Sequence, residues 1–197
     1  MRRRRLFDDV LGVVEHARIE AGAGYYPVLT GWFRGYPVRL EAVVDTLALR
    51  RLPELWLLVT QGRRLDVGAP LDVLARPTGT EFFSPNGGYP HELPRPEAIR
   101  THVRIATPDP SRAPVSVLDG LGPLLDDPRT KEVLVSAGGI RLVHRLAEGA
   151  QGPYRSLRRA DFGDVRVGAD RLRSLLDAVA GIGDTLALEH AGHARRP

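Results

Sequence analysis

The chain has 197 residues, 43% hydrophobic and 26% charged, the composition of a globular domain rather than a disordered or fibrous one. It has no cysteine, which excludes disulfides, thiolate metal sites and a cysteine nucleophile together, and which fits a reducing, cytoplasmic compartment. The net charge is +4 and the pI about 9.9, yet Arg2, Arg3, Arg4, Arg5, Arg195 and Arg196 sit in the two tails. Without those six, 22 basic residues face 24 acidic ones, a body at −2 and a poor polyanion binder. Lys131 is the one lysine, a bias toward arginine that fits the codon usage of a GC-rich bacterium.

The basic start resembles the first part of a signal peptide, but Asp8 and Asp9 interrupt the apolar stretch that must come after it. Leu6, Val10, Val13, Val14 and Ala17 recur at helical spacing, which predicts an N-terminal helix over Leu6–Ala21. Its acids lie in the first turn, and Gly22 and Gly24 end it. A β-meander is expected next. Val28–Phe33 and Tyr36–Leu47 pair around an Arg34–Gly35 turn, and the return strand alternates Val38, Leu40, Ala42 and Val44 with Arg39, Glu41, Val43 and Asp45. Leu55–Thr60 is so continuously apolar that it reads as a strand covered on both faces, with Trp56 mostly buried.

Leu71–Ala75 reads as a short strand, Glu81–Ser84 as another, and His102–Thr107 as an edge strand. Residues 84–96 hold four prolines and two adjacent glycines, so they read as a long loop. Ser116–Leu125 makes a poor helix because Gly120, Gly122 and Pro123 lie in it. Glu132–Ser136 and Ile140–Leu146 form a hairpin around Ala137–Gly139, and Tyr154–Phe162 comes next as a strand. Ala169–Leu186 is the clearest helix, with Leu172, Leu175, Leu176, Val179 and Ile182 on one face.

The fold class expected is therefore α+β: an antiparallel sheet flanked by an N-terminal and a C-terminal helix, in one domain spanning 1–197, with residues 1–5 and 188–197 as flexible tails. The order of elements also hints at two related αβββ halves.

Short motifs in the chain resemble those of a group of uncharacterised bacterial proteins that share a domain of unknown function. They are Gly31-Trp-Phe-Arg-Gly35-Tyr-Pro-Val38, Lys131-Glu-Val-Leu-Val-Ser136, Gly139-Ile-Arg141 and the run Tyr154–Phe162. The resemblance implies a leading helix, a strand pair turned by glycines, a closing hairpin and a final amphipathic helix. It implies no activity and no site residues.

Motifs that carry chemistry are sparse. The stretches Ala21–Gly24 and Gly181–Gly183 match no phosphate-loop pattern, and helix ends explain their glycines. His91–Glu92 opens like a zinc-protease motif but lacks the second histidine. Glu189, His190 and His193 have ligand-like spacing in what reads as a tail, and His144 reads as a partly buried strand histidine. Asp8–Asp9 and Asp126–Asp127 are carboxylate pairs whose neighbours point apart. No cofactor and no metal site is expected, and no catalytic residue is assigned.

Two clusters set arginines beside aromatic rings: Trp32, Arg34 and Tyr36, and Tyr154, Arg155, Arg158 and Arg159. Together they make the candidate interaction surface. Three functions remain open at this point. The first is a non-catalytic protein-binding or assembly module, holding a protein partner or copies of itself through open sheet edges. The second is an enzyme without a recognisable motif, its site in the loop around His91 and Glu92. The third is weak nucleic-acid binding through the arginines.

Overall fold

The computed structural model describes residues 5–22, 26–45, 52–151 and 160–193, the last three without their side chains. Nine strands form an open antiparallel sheet: β1 (Glu15–Ala21), β2 (Pro27–Phe33), β3 (Tyr36–Asp45), β4 (Glu54–Gly62), β5 (Leu71–Ala75), β6 (His91–Leu93), β7 (Val103–Thr107), β8 (Thr130–Ser136) and β9 (Gly139–Glu148). Their hydrogen-bonded order is β1-β2-β3-β4-β9-β8-β5-β7-β6. Among the described residues the helices are α1 (Gly122–Asp126) and α2 (Ala169–His193). Contacts divide the chain into two compact units, Met1–Val59 with Val143–Leu176, and Thr60–Leu142 with Asp177–Pro197.

In the first unit the expected N-terminal helix is absent. A single 3-10 turn, Asp8–Val10, precedes β1. The apolar residues that imitate a helical stripe have another use. Leu6, Phe7, Val10 and Val14 are buried as the chain crosses the core, and Gly12 lies in a turn. Pairing with β2 then outweighs a marginal helix. Gly31, expected to serve a turn, stands inside β2. A side chain there would start 2.4 Å from Val14 Cγ1 and 2.6 Å from the Glu15 carbonyl, so its bareness lets the Val14–Ala17 segment lie against the strand. The two-residue turn at Arg34–Gly35 is as expected, with φ of 52° and 78°.

In the second unit β8 and β9 form the expected hairpin, with Ala137 and Gly138 as the turn. Gly139 has a φ of 142°, and a Cβ would start 2.0 Å from the Gln61 carbonyl, so only glycine fits. β7 is not an edge strand, because β6, formed inside the expected 84–96 loop, pairs outside it: Leu93 lies opposite Ile105 and His91 opposite Thr107. Residues 81–84 are turn and loop rather than strand. Residues 115–126 divide into a 3-10 segment, Val115–Gly120, and the short α1.

Helix α2 runs past the expected end at Leu186. Its last turns are held: the Ser116 hydroxyl donates to Glu189 at 2.6 Å, and His190 Nδ1 lies 3.0 Å from Asp66. Gly181 and Gly183 are therefore inside the helix, not at its end. Gly183 lets Arg63 and Ile140 close in, since a Cβ would start 2.8 Å from Arg63 Nη1. The Tyr154–Phe162 strand lies largely outside the described residues, and residues 160–162 have no regular structure. Two related αβββ halves find no support: among the described residues no helix opens the first half.

Trp56 is buried, with 4% of its surface exposed, and lies between the fully buried Leu55 and Leu57 on β4. Truncating a packed aromatic removes its burial energy and leaves a cavity. Trp56→Ala is expected to cost about 3–5 kcal/mol, read as a lower urea midpoint at unchanged slope. A variant as stable as the parent would contradict the packing around β4.

Candidate functional site

In the first unit, β1, β2 and β3 align their side chains in rows. Glu20, Val28 and Glu41 form one row, Ile19, Leu29 and Leu40 the next, and Arg18, Thr30 and Arg39 the third. Successive rows face opposite sides of the sheet. Leu29 and Leu40 are fully buried, but Ile19, at the end of their row, is 41% exposed. Among the described residues β1 pairs with β2 alone, and six of its seven residues are exposed. The pairing register slips between Glu15 and Arg18, where His16 has a φ of 51°. Arg18–Ala21 remains as the regular stretch of the edge.

Trp32 is 45% exposed and lies opposite Glu15 on β1 and Pro37 on β3. Arg34 stacks over Phe33, its Cζ 5.6 Å from the ring centre, and Tyr36 pairs with Phe33 across the hairpin. The structure thus brings Trp32, Arg34 and Tyr36 to one hairpin end. Tyr154, Arg155, Arg158 and Arg159 lie outside the described residues.

In the second unit, His91 and Glu92 are exposed on β6, and Glu92 accepts a hydrogen bond from Arg104 Nε at 3.2 Å. The carboxylates beneath the adjoining loop are two that sequence reasoning did not single out. Asp72 on β5 and Glu132 on β8 both have 0% exposure. Leu74 pairs with Glu132 and Asp72 with Leu134, so the two acids stand diagonally across neighbouring strands on one face. Arg141 Nε and Nη2 donate to Glu132 Oε2 at 3.1 and 2.8 Å, and Nη2 also donates to the Phe83 carbonyl at 2.9 Å. The Ser84 hydroxyl donates to Asp72 Oδ2 at 3.3 Å, and Asn86 Nδ2 donates to the Asp72 carbonyl at 3.1 Å.

The loop over these acids is itself pinned by charge. Glu81 accepts from the Thr78 backbone and hydroxyl, both at 2.7 Å, and from the Gly79 amide at 2.9 Å. Lys131 Nζ lies 2.7 Å from Glu81 Oε1 and donates to the Arg76 carbonyl, also at 2.7 Å. Burial pushes the Glu81 carboxyl up, but the hydrogen bonds from Lys131 and Thr78 outweigh it and hold the group at about 2. Asp72 behaves in the opposite way. Burial, and after it the negative charge of Glu132, pushes its carboxyl up to about 8 against the pull of Asn86 and Arg141. Burial and then Asp72 also raise the Tyr89 phenol. One acid of the pair is thus neutral near pH 7, and the other is matched by arginine.

Asp72 stands in the otherwise apolar strand Leu71–Ala75, and Glu132 follows Lys131 at the start of Thr130–Ser136. A charge inside an apolar run was the signal that could have drawn attention to Asp72. The full enclosure of both acids suits a clamp between loop and sheet. His144 is buried on β9. Among the described residues no group of three or more histidines or carboxylates could hold a metal ion, and no helix is long and apolar enough to cross a membrane. No protein-family model, no curated protein and no solved structure matches the chain.

The folded state holds the Asp72 proton more tightly than the unfolded chain does. The contribution of Asp72 to stability is therefore fully present below the ordinary aspartate value of 3.8 and is lost as pH rises through about 8. Asp72→Asn, neutral at every pH, is expected to flatten that decline. Urea midpoints of parent and variant, taken in steps from about pH 4.5 to about pH 8.5, measure it. Parallel pH profiles would show that Asp72 titrates normally.

Proposed function

We propose that this chain is a non-catalytic protein-binding or assembly module, and that it docks another polypeptide along β1 and the adjoining hairpin end that carries Trp32. The observation behind this reading is the edge itself. β1 offers a row of backbone donors and acceptors on its outer side, and strand addition uses such a row for affinity and the alternating side chains for selectivity. Ile19 and Trp32 are two of the few large apolar side chains left exposed, and both stand on this part of the sheet. Tryptophan is enriched among the residues that dominate binding energy at protein interfaces.

The enzyme alternative loses its motivating pair, because His91 and Glu92 stand in solvent on a three-residue strand and Glu92 is committed to Arg104.

Site-specific photo-crosslinking in living cells tests the reading. A photoreactive amino acid at position 19 or 32 is expected to yield a covalent adduct with a polypeptide, while the same probe at the exposed helix position Arg173 yields none. No adduct at either strand position, or equal labelling at Arg173, would overturn the proposal.

A further inference from the structure

The chemistry of the open edge is more specific than a generic strand acceptor. Its regular stretch and the residue before it read Ala17, Arg18, Ile19, Glu20, Ala21, a sequence whose charges invert about its centre. When two such strands run antiparallel with Ile19 opposite Ile19, Arg18 of each faces Glu20 of the other, and Ala17 faces Ala21. Both ion pairs form at once, because the arrangement is two-fold symmetric. Centring the pair on Arg18 instead would set arginine against arginine, and like charges directly opposite are destabilising. The neighbouring register, centred on Glu20, would set glutamate against glutamate. One register is therefore favoured by charge over its neighbours.

The apolar rows favour the same register. Leu40, Leu29 and Ile19 lie side by side across β3, β2 and β1, the first two fully buried and the last 41% exposed. In the Ile19-centred pairing the row continues through the second Ile19 into the partner's Leu29 and Leu40, and the exposed end of each row is covered by the other. On the opposite face, Arg39, Thr30 and Arg18 of one copy continue into Glu20, Val28 and Glu41 of the next, so each polar row meets one that ends in the opposite charge.

We propose that β1 pairs antiparallel with β1 of a second copy of this chain, with Ile19 opposite Ile19 and Arg18 opposite Glu20. The proposal rests on the assembly reading above and names its partner. The His16 bulge limits the regular ladder to a few residues, so the contact is small and the dimer weak, dissociating in the micromolar range.

Sedimentation velocity on the full chain, from a few micromolar to several hundred micromolar, reads the association. The parent is expected to dimerise as concentration rises. Arg18→Glu, which replaces both ion pairs by two facing carboxylate pairs, is expected to weaken self-association by about tenfold or more, and Glu20→Arg by a similar factor. An equimolar mixture of the two variants restores opposite charges at both positions and should form a heterodimer. The double variant carrying both changes should again dimerise with itself. Both positions are exposed, so circular dichroism and thermal unfolding of the variants should match the parent.

A parent that stays monomeric at several hundred micromolar overturns the pairing, and so does a parent dimer indifferent to the charge swaps. A crosslink at position 19 whose adduct differs in mass from two copies of the chain would sink the self-pairing and leave the assembly reading intact. Absence of any adduct there and at position 32 would sink both.

Discussion

Antiparallel pairing ties the direction of every side chain to its neighbours across the ladder, and the row Leu40–Leu29–Ile19 is a direct consequence. Each residue is placed by the register of the strand before it, so a buried leucine on β3 imposes a buried leucine on β2 and leaves an isoleucine at the open end of β1. The same register raises Arg18 and Glu20 on the other face. The groups that the edge presents to solvent are thus inherited from the core, one strand at a time. A single residue of slip would put the charges in the core and the isoleucine among the polar groups, so the alternation and the open edge are a single constraint.

Edges of this kind are ordinarily blunted. The His16 bulge and the alternating charges on β1 fit such a role against indiscriminate pairing. Alternation of opposite signs has a second consequence that a run of lysines would lack: in self-pairing it disfavours the two registers beside the one centred on Ile19. Selectivity of register is what separates an assembly contact from aggregation.

In the second unit the same principle governs charges that the sheet encloses. Asp72 and Glu132 share one face of adjacent strands, and two ionised carboxylates there would repel at short range with little water to screen them. Arg141 matches one, and a raised pKa neutralises the other. Arg141 also holds the Phe83 carbonyl and Ser84 holds Asp72, so the loop is fastened to the sheet through the acids it covers. Glu81 and Lys131 fasten its other end. These groups give the loop a defined seat.

From sequence alone, the strands of the meander and of the closing hairpin were legible, because period-two alternation and glycine turns are local signals. So were the burial of Trp56 in the apolar run around it and the amphipathic start of the long helix. The segment Leu6–Ala21 was not. Leu6, Val10, Val14 and Ala17 satisfy a helical spacing, but only the bare backbone of Gly31, far along the chain, explains why that segment lies flat on β2 instead. The partners of Asp72 and the hold of Asp66 and Ser116 on the helix end are equally non-local. Composition and periodicity determined which segments extend, where they turn and which faces are apolar, since those depend on neighbours a few residues apart. The tertiary structure decided which strand stands at the edge, which charges are enclosed and which isoleucine is left in the open, because each of those is set by a strand whose place in the sheet the local sequence does not encode.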